Sequence, residues 1–298
     1  MPTPTLPQNP FDAILAPGTG VEQVASGFQF TEGPVWHPDG TLLFSDIPAD
    51  TIYRWTPGDP EAAVFRRPSG HSNGLTLDAQ TRLIACEHDR RLSRTGADGT
   101  VTAIATHYNG GRLNSPNDVV VHSSGSIYFT DPPYGLPDQS EGKEQPFNGV
   151  YRLDPDGTLT LLDDSFERPN GLAFSPDEQT LYVDDSYRDH IRAFDVLPDG
   201  TLANGRLFVD LSLPGAEGVP DGMKVDLLGN VFCTGPGGIA VVSPEGEILG
   251  RIEVPEQPAN LAWGDDDYKT LYVTARTGLY RVRTLTGGTQ AGASPAGR

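Results

Sequence analysis

What most limits the folds open to this chain is a unit that it repeats six times. TEGPVWHPDGTLLFSD from Thr31 is echoed by SNGLTLDAQTRLIACEH from Ser72, PNDVVVHSSGSIYFTDP from Pro116, PNGLAFSPDEQTLYVDD from Pro169, PDGMKVDLLGNVFCTGP from Pro220 and PANLAWGDDDYKTLYVT from Pro258. Each unit carries a polar residue, a small or turn-prone one, an apolar run, a turn and a second apolar run, which is the pattern of a β-hairpin. The leading polar position falls on Glu32, Asn73, Asn117, Asn170, Asp221 and finally Ala259, at intervals of 38 to 53 residues. Repeats of roughly 40–50 residues filled with strands correspond to propeller blades of about four strands each. The sequence therefore predicts an all-β chain, a six-bladed β-propeller with four antiparallel strands per blade.

The ends of the repeat support that reading. The last unit supplies NLAW, TLYVTA and GLYRVR and is one strand short, while residues 21–30 read as a strand with no blade of its own. Pairing the two closes the ring and removes an exposed sheet edge. The expected organisation is a Pro-rich, loosely held arm over residues 1–20, one propeller domain over 21–283, and a disordered tail over 284–298. Residues 131–148 form an insertion much longer than a hairpin turn requires.

Composition narrows the function classes. Forty acidic against 21 basic residues give a formal charge of −19, which disfavours nucleic acid and anionic membranes, since both need a basic footprint. Many of these acids sit in turn motifs such as HPDG, DPDG and LPDG. The two cysteines, Cys86 and Cys233, fall late in apolar strands of different blades and are expected as buried, reduced thiols. No run is long enough to span a bilayer, and the opening residues lack a basic leader with an apolar core after it, so a cytoplasmic protein is expected.

A propeller turns distant repeat positions into one axial ring, because the first strand of every blade lines the central channel. That ring would hold Glu32, Asn73, Asn117, Asn170, Asp221 and Ala259: two carboxylates, three amides and a methyl. Oxygen-only donors of this kind suit a hard divalent cation, Ca²⁺ before Zn²⁺. Taken singly, the Asn-Gly and Asp-Gly pairs also read as turn dipeptides. Residues leaving each second strand, namely Asp46, Glu87, His88, Asp131, Asp184, Asp185 and Arg276, should rim the same funnel. The insertion with Tyr134 should wall it, and His71 and Arg112 lie on connections into first strands.

TEGPVW, NSPNDVVV with SIYFTDPPYG, RPNGLAFSPD and PDGMKVD together resemble the gluconolactonase, regucalcin and luciferin-regenerating-enzyme family of six-bladed propellers, over roughly residues 20–283 and closest to its bacterial lactonase branch. The resemblance implies a divalent cation, commonly Ca²⁺ with Mn²⁺, Mg²⁺ or Zn²⁺ as substitutes, on Glu32, Asn170 and Asp221. Asn117 is either a further ligand or a substrate contact. It also implies hydrolysis of a small-molecule sugar lactone to its aldonic acid. Asp221 is the expected proton acceptor and Asp131 the reserve, while Asn73, His88, Arg112, Tyr134 and Arg276 are expected around the substrate. Two other readings remain open here: a phosphotriester or fluorophosphate hydrolase using the same site, and a non-catalytic ligand-binding propeller with structural calcium. The GHSNG stretch at 70–74 looks like a nucleophile elbow, but it leads from strand to strand instead of strand to helix and is set aside. Oligomeric state is left open.

Overall fold

A computed structural model describes residues 9–289, and within them the repeat becomes six four-stranded antiparallel sheets. The innermost strands are Thr31–His37, Ser72–Leu77, Val119–Val121, Pro169–Phe174, Met223–Val225 and Pro258–Gly264, and each packs against the next around the axis until the sixth meets the first. Five blades are continuous in sequence. In the sixth, the outermost strand is Glu22–Ser26, which pairs antiparallel with Gly278–Arg283. The stray N-terminal strand thus completes the blade that lacked one.

Burial reflects this arrangement. Both faces of every blade except its outer edge are covered, so the inner two strands of the first blade are buried almost throughout and the outermost, Ala63–Arg66, is not. The apolar core is divided into six clusters, one in each seam between adjacent blades. The seam closing the ring stacks Trp36 on Tyr272, with ring centroids 5.4 Å apart, and sets Trp55 edge-on to the same tyrosine. Cys86 and Cys233 are buried free thiols in different seams.

Two columns of polar side chains explain how neighbouring blades stay in register. The penultimate residue of the second strand reaches across the seam to the main chain of the next blade's axial residue. Ser45 Oγ donates to Asn73 O at 2.8 Å, Thr130 Oγ1 to Asn170 O at 2.7 Å and Thr234 Oγ1 to Ala259 O at 2.8 Å. The last residue of that strand ties down the loop that feeds its own blade's first strand. Asp46 accepts from Gln29 N and Phe30 N, Asp131 from Asn114 N, and Asp185 from Glu167 N and Arg168 N.

Of the expected arm, residues 1–8 lie outside the described residues. Residues 9–20 carry a short 3₁₀ turn, Pro10–Ala13, and Ile14 is buried in the seam between the fifth and sixth blades. Of the expected tail, residues 290–298 lie outside the described residues. Thr284 accepts from Trp263 Nε1, and Gly288 forms a bridge to Asp226.

Candidate active site

The six leading residues meet at one mouth of the channel because of the small residue that comes after most of them. In four blades that residue is glycine, and at Gly74, Gly171 and Gly222 the backbone N–H bonds across the seam to Asn117 O, Asp221 O and Ala259 O, at 2.7, 3.0 and 2.7 Å. A Cβ on Gly171 would stand 2.1 Å from Asp221 O, and one on Gly33 would stand 2.0 Å from Asn73 O. Gly74, Gly171 and Gly222 do not adopt positive φ. They are present so that neighbouring inner strands can approach closely, which is a different cause from the turn chemistry that the dipeptides imply in isolation.

Glu32, Asn73, Asn117 and Asn170 are buried, and Asp221 is half-buried at the mouth. Glu32 Oε2 accepts the Gly33 N–H at 2.7 Å. Burial, and then the nearby Asp118 charge, push its carboxyl up to about 7 against the Gly33 hydrogen bond. The Asp221 carboxyl is pushed well above its usual range by burial first, then by Glu32, Asp184 and Asp118, with hydrogen bonding from Asn170 opposing. The Glu32 charge makes Asp221 harder to ionise, which is the behaviour of carboxylates close enough to share a cation. Asn170 Nδ2 donates to Ser186 Oγ at 3.1 Å, and Ser186 donates to Pro220 O.

A second tier lies beneath this ring, and sequence reasoning missed most of it. Where four blades have glycine, the third has Asp118 and the sixth has Asn260, whose amide nitrogen is 3.4 Å from Asp118 Oδ2. One step deeper the channel is ringed by Val35, Thr76, Val120, Ala173, Ala262 and Lys224. Lys224 Nζ donates to Met223 O and to Asn260 Oδ1 and lies 3.8 Å from Asp118 Oδ2. It is a cation placed under a nest of carboxylates. The signal was available: Asp118, Asn260 and Lys224 are the polar exceptions in columns otherwise made of glycine or small residues. Asp184, expected at the rim, is instead wholly buried in the column where other blades have Ser45, Cys86, Thr130, Thr234 and Thr274. Its Oδ1 has no hydrogen-bond partner among the described residues, and burial holds its carboxyl well above the usual range.

The remaining candidates separate by position. Tyr134, on the insertion, lies near Ser186 and the Asp221 and Asp184 charges, and burial first of all raises its hydroxyl above the usual range. His88 lies 3.3 Å from the Asn73 amide nitrogen. Arg112 is exposed on the short strand Gly111–Arg112 and shares a groove with His88, Arg90, Gly135 and Leu136. Arg276 is exposed in the turn of the last blade, where its guanidinium donates to Gln257 Oε1 at 2.8 Å instead of to a ring residue. Asp131 is 0 % exposed, and burial raises it to about 7. Its Oδ2 holds the Asn114 backbone, so it is sealed away from any substrate and organises the loop into the third blade.

The donors fit a hard cation: two carboxylates and amide oxygens from rigid strands, with neither sulfur nor imidazole in the ring. No group of three or more His, Cys, Asp or Glu side chains poised for a metal occurs among the described residues. The amide oxygens are therefore essential to any such site.

Comparison with known proteins agrees with the repeat. The profile of the SMP-30/Gluconolactonase/LRE-like region matches residues 30–277. A gluconolactonase of Zymomonas mobilis is 40% identical over 303 residues, covering 93% of this chain and 85% of that protein. The pentonolactonase XacC of Haloferax volcanii is 31% identical over 258 residues, covering 83% and 81%. The solved structure of the Xanthomonas campestris gluconolactonase XC5397 superposes with a TM-score of 0.84 at 36% identity, covering 92% of each chain.

Proposed function

The chain belongs to the SMP-30/gluconolactonase/LRE-like family and is a lactone-hydrolysing enzyme, and from that premise we propose that it opens sugar lactones to aldonic acids at the axial ring, with a divalent cation, Ca²⁺ first, as cofactor. The observation that carries this reading is the convergence of two carboxyls, Glu32 and Asp221, both raised above their usual range and the latter in part by the Glu32 charge, with the Asn117 and Asn170 amides beside them on the inner strands. Glu32, Asn170 and Asp221 would hold the cation, with Asn117 beside them. What a bound divalent ion supplies there is Lewis acidity toward an ester carbonyl oxygen.

The protein's own groups do the rest. Of the two acids of the ring Asp221 is the more exposed, so it is the group positioned to take a proton from an attacking water. Tyr134 and the stiff Pro132-Pro133 turn form a wall over the Ser186 side of the ring, limiting how a sugar ring can lie. Asp118, Asn260 and Lys224 lie beneath the Glu32 side, where the Asp118 charge raises and the Lys224 charge lowers the proton affinity of Glu32.

The test is a substrate panel of glucono-, galactono- and pentonolactones beside a phosphotriester, each monitored by product release with spontaneous hydrolysis subtracted. Turnover of at least one aldonolactone, abolished in Asp221→Asn, is expected. Turnover of the phosphotriester alone would overturn the assignment.

A further inference from the structure

Lys224 stands on the inner strand of the fifth blade, beneath the ring proposed above to hold a cation, and among the described residues it is the one charged side chain lining that part of the channel. A fixed positive charge there opposes the binding of a metal ion, so it has to be accounted for by what else it meets. Its Nζ donates to Met223 O at 2.9 Å and to Asn260 Oδ1 at 3.3 Å, and lies 3.8 Å from Asp118 Oδ2. The Asn260 amide has a single orientation that satisfies its neighbours. Leu261 N–H, at 2.8 Å, and the Lys224 ammonium are both donors, so Oδ1 faces them and Nδ2 is left to Asp118 Oδ2, 3.4 Å away. The other Asp118 oxygen accepts the Val119 N–H at 2.9 Å. Asp118 is 1 % exposed, and the groups its carboxyl meets are a backbone amide, a side-chain amide and an ammonium, all of them donors, which is the setting of a carboxylate. A buried charge of this kind is tolerated when it is paired. The Asp118 charge raises both Glu32 and Asp221, and the Lys224 charge acts on Glu32 in the opposite sense. The third, fifth and sixth blades thus each place one polar exception in the channel, and the three meet under the ring.

We propose that Lys224 and Asp118, joined through Asn260, form a fixed counter-charge pair that sets which ionic charge the axial ring selects: Lys224 cancels Asp118, so the ring offers its ion the two charges of Glu32 and Asp221, matched to a divalent cation rather than a trivalent one. The inference rests on the cation-binding reading of the ring and adds to it a selectivity device built from residues outside the proposed ligand set. Lys224 is a positioning residue in this account, acting on the ion through the charge it neutralises.

Ca²⁺ and La³⁺ are hard, oxygen-seeking ions of similar radius, so the ratio of their dissociation constants reads charge. It would be measured by calorimetric titration of chelator-stripped protein under mildly alkaline conditions, where carboxyl groups are ionised. A unit charge acting over about 10 Å at an effective dielectric of about 20 changes the ratio for two ions differing by one charge by about tenfold. Lys224→Met should therefore shift the ratio towards La³⁺ by about that factor, and Asp118→Asn should shift it towards Ca²⁺ by a similar one. The double variant should return to within roughly threefold of wild type, and Lys224→Arg should stay there. A wild-type ratio in either single variant, once folded, would overturn the proposal. Shifts of the same sign in the two would overturn it as well, because lost packing does not reverse direction with the charge removed. Should Lys224→Met not fold, Asp118→Asn and its return in the double variant carry the same test. Wild-type protein that binds neither ion would overturn the cation reading of the ring and this inference with it, a result distinct from an unchanged ratio.

Discussion

At the residue scale the proposed chemistry rests on Glu32 and Asp221, two carboxyls raised above their usual range, the second in part by the charge of the first. A bound cation would favour the ionised form of both, and their proposed roles differ by access: Glu32 is buried, whereas Asp221 is half-buried. Asp221→Asn should therefore lower kcat by about 10²–10⁴-fold, the range typical of a lost general base, measured by steady-state lactone hydrolysis. Glu32→Gln should act first on metal affinity, weakening it by at least the roughly 10–100-fold that outer-shell changes cost, measured by chelator competition. Equal metal affinity in Glu32→Gln and wild type would remove Glu32 from the ligand set. The repeat made these residues legible because each stands at the same place in its unit. Asp118, Lys224 and Asn260 were not read because they look like strand interior in their own blades. Asp184 reads as a strand-end acid because Asp185 beside it does that job, while Asp184 faces the seam.

The hairpin is the element that carries the site, and its glycines set how closely blades approach. Gly171→Ala would place a methyl against Asp221 O, and overpacking of that kind costs about 1–3 kcal/mol, read as a lowered melting temperature. Because the strain falls on the Asp221 backbone, activity should fall more steeply than stability. A variant with wild-type stability and turnover would show that the close approach is dispensable. At this scale the strand pattern was legible throughout, down to the strand left over at the start and the one missing at the end. Deleting Glu22–Ser26 should expose the Gly278–Arg283 edge, separate the Arg281–Glu22 pair, and give a protein that self-associates, as seen by light scattering. What the pattern did not separate was the purpose of the acids closing each second strand. Asp46, Asp131 and Asp185 share polarity with the catalytic candidates but anchor loops. Only the direction of their hydrogen bonds distinguishes them.

The molecule as a whole is a ring whose core is divided among six seams, and it holds several carboxyl groups that prefer to stay neutral. Asp131 is raised by burial to about 7, whereas an unfolded chain ionises an aspartate near 4. The stability it contributes is therefore complete below about pH 4 and is lost as pH rises through about 7. Asp131→Asn, which keeps an acceptor for Asn114 N, should lack that slope, so its melting temperature should gain on wild type between about pH 4.5 and 7.5. Parallel curves would contradict the burial argument. The charge of −19 arises from many acidic turns on this surface and gives no information on substrate, so the axial ring is legible from the repeat register and its roles only from the family resemblance.

The central claim, that the axial ring is a metal-dependent lactone-opening site, is tested most directly by acid release from glucono-δ-lactone. Chelator-stripped protein would be monitored in a pH-stat before and after addition of Ca²⁺, Mn²⁺ or Zn²⁺, with the melting temperature recorded on the same samples. The account predicts negligible turnover when stripped, turnover restored by a divalent ion, and a parallel rise in melting temperature that Glu32→Gln blunts. Full turnover by the stripped protein, with no response of either quantity to added metal, would contradict it.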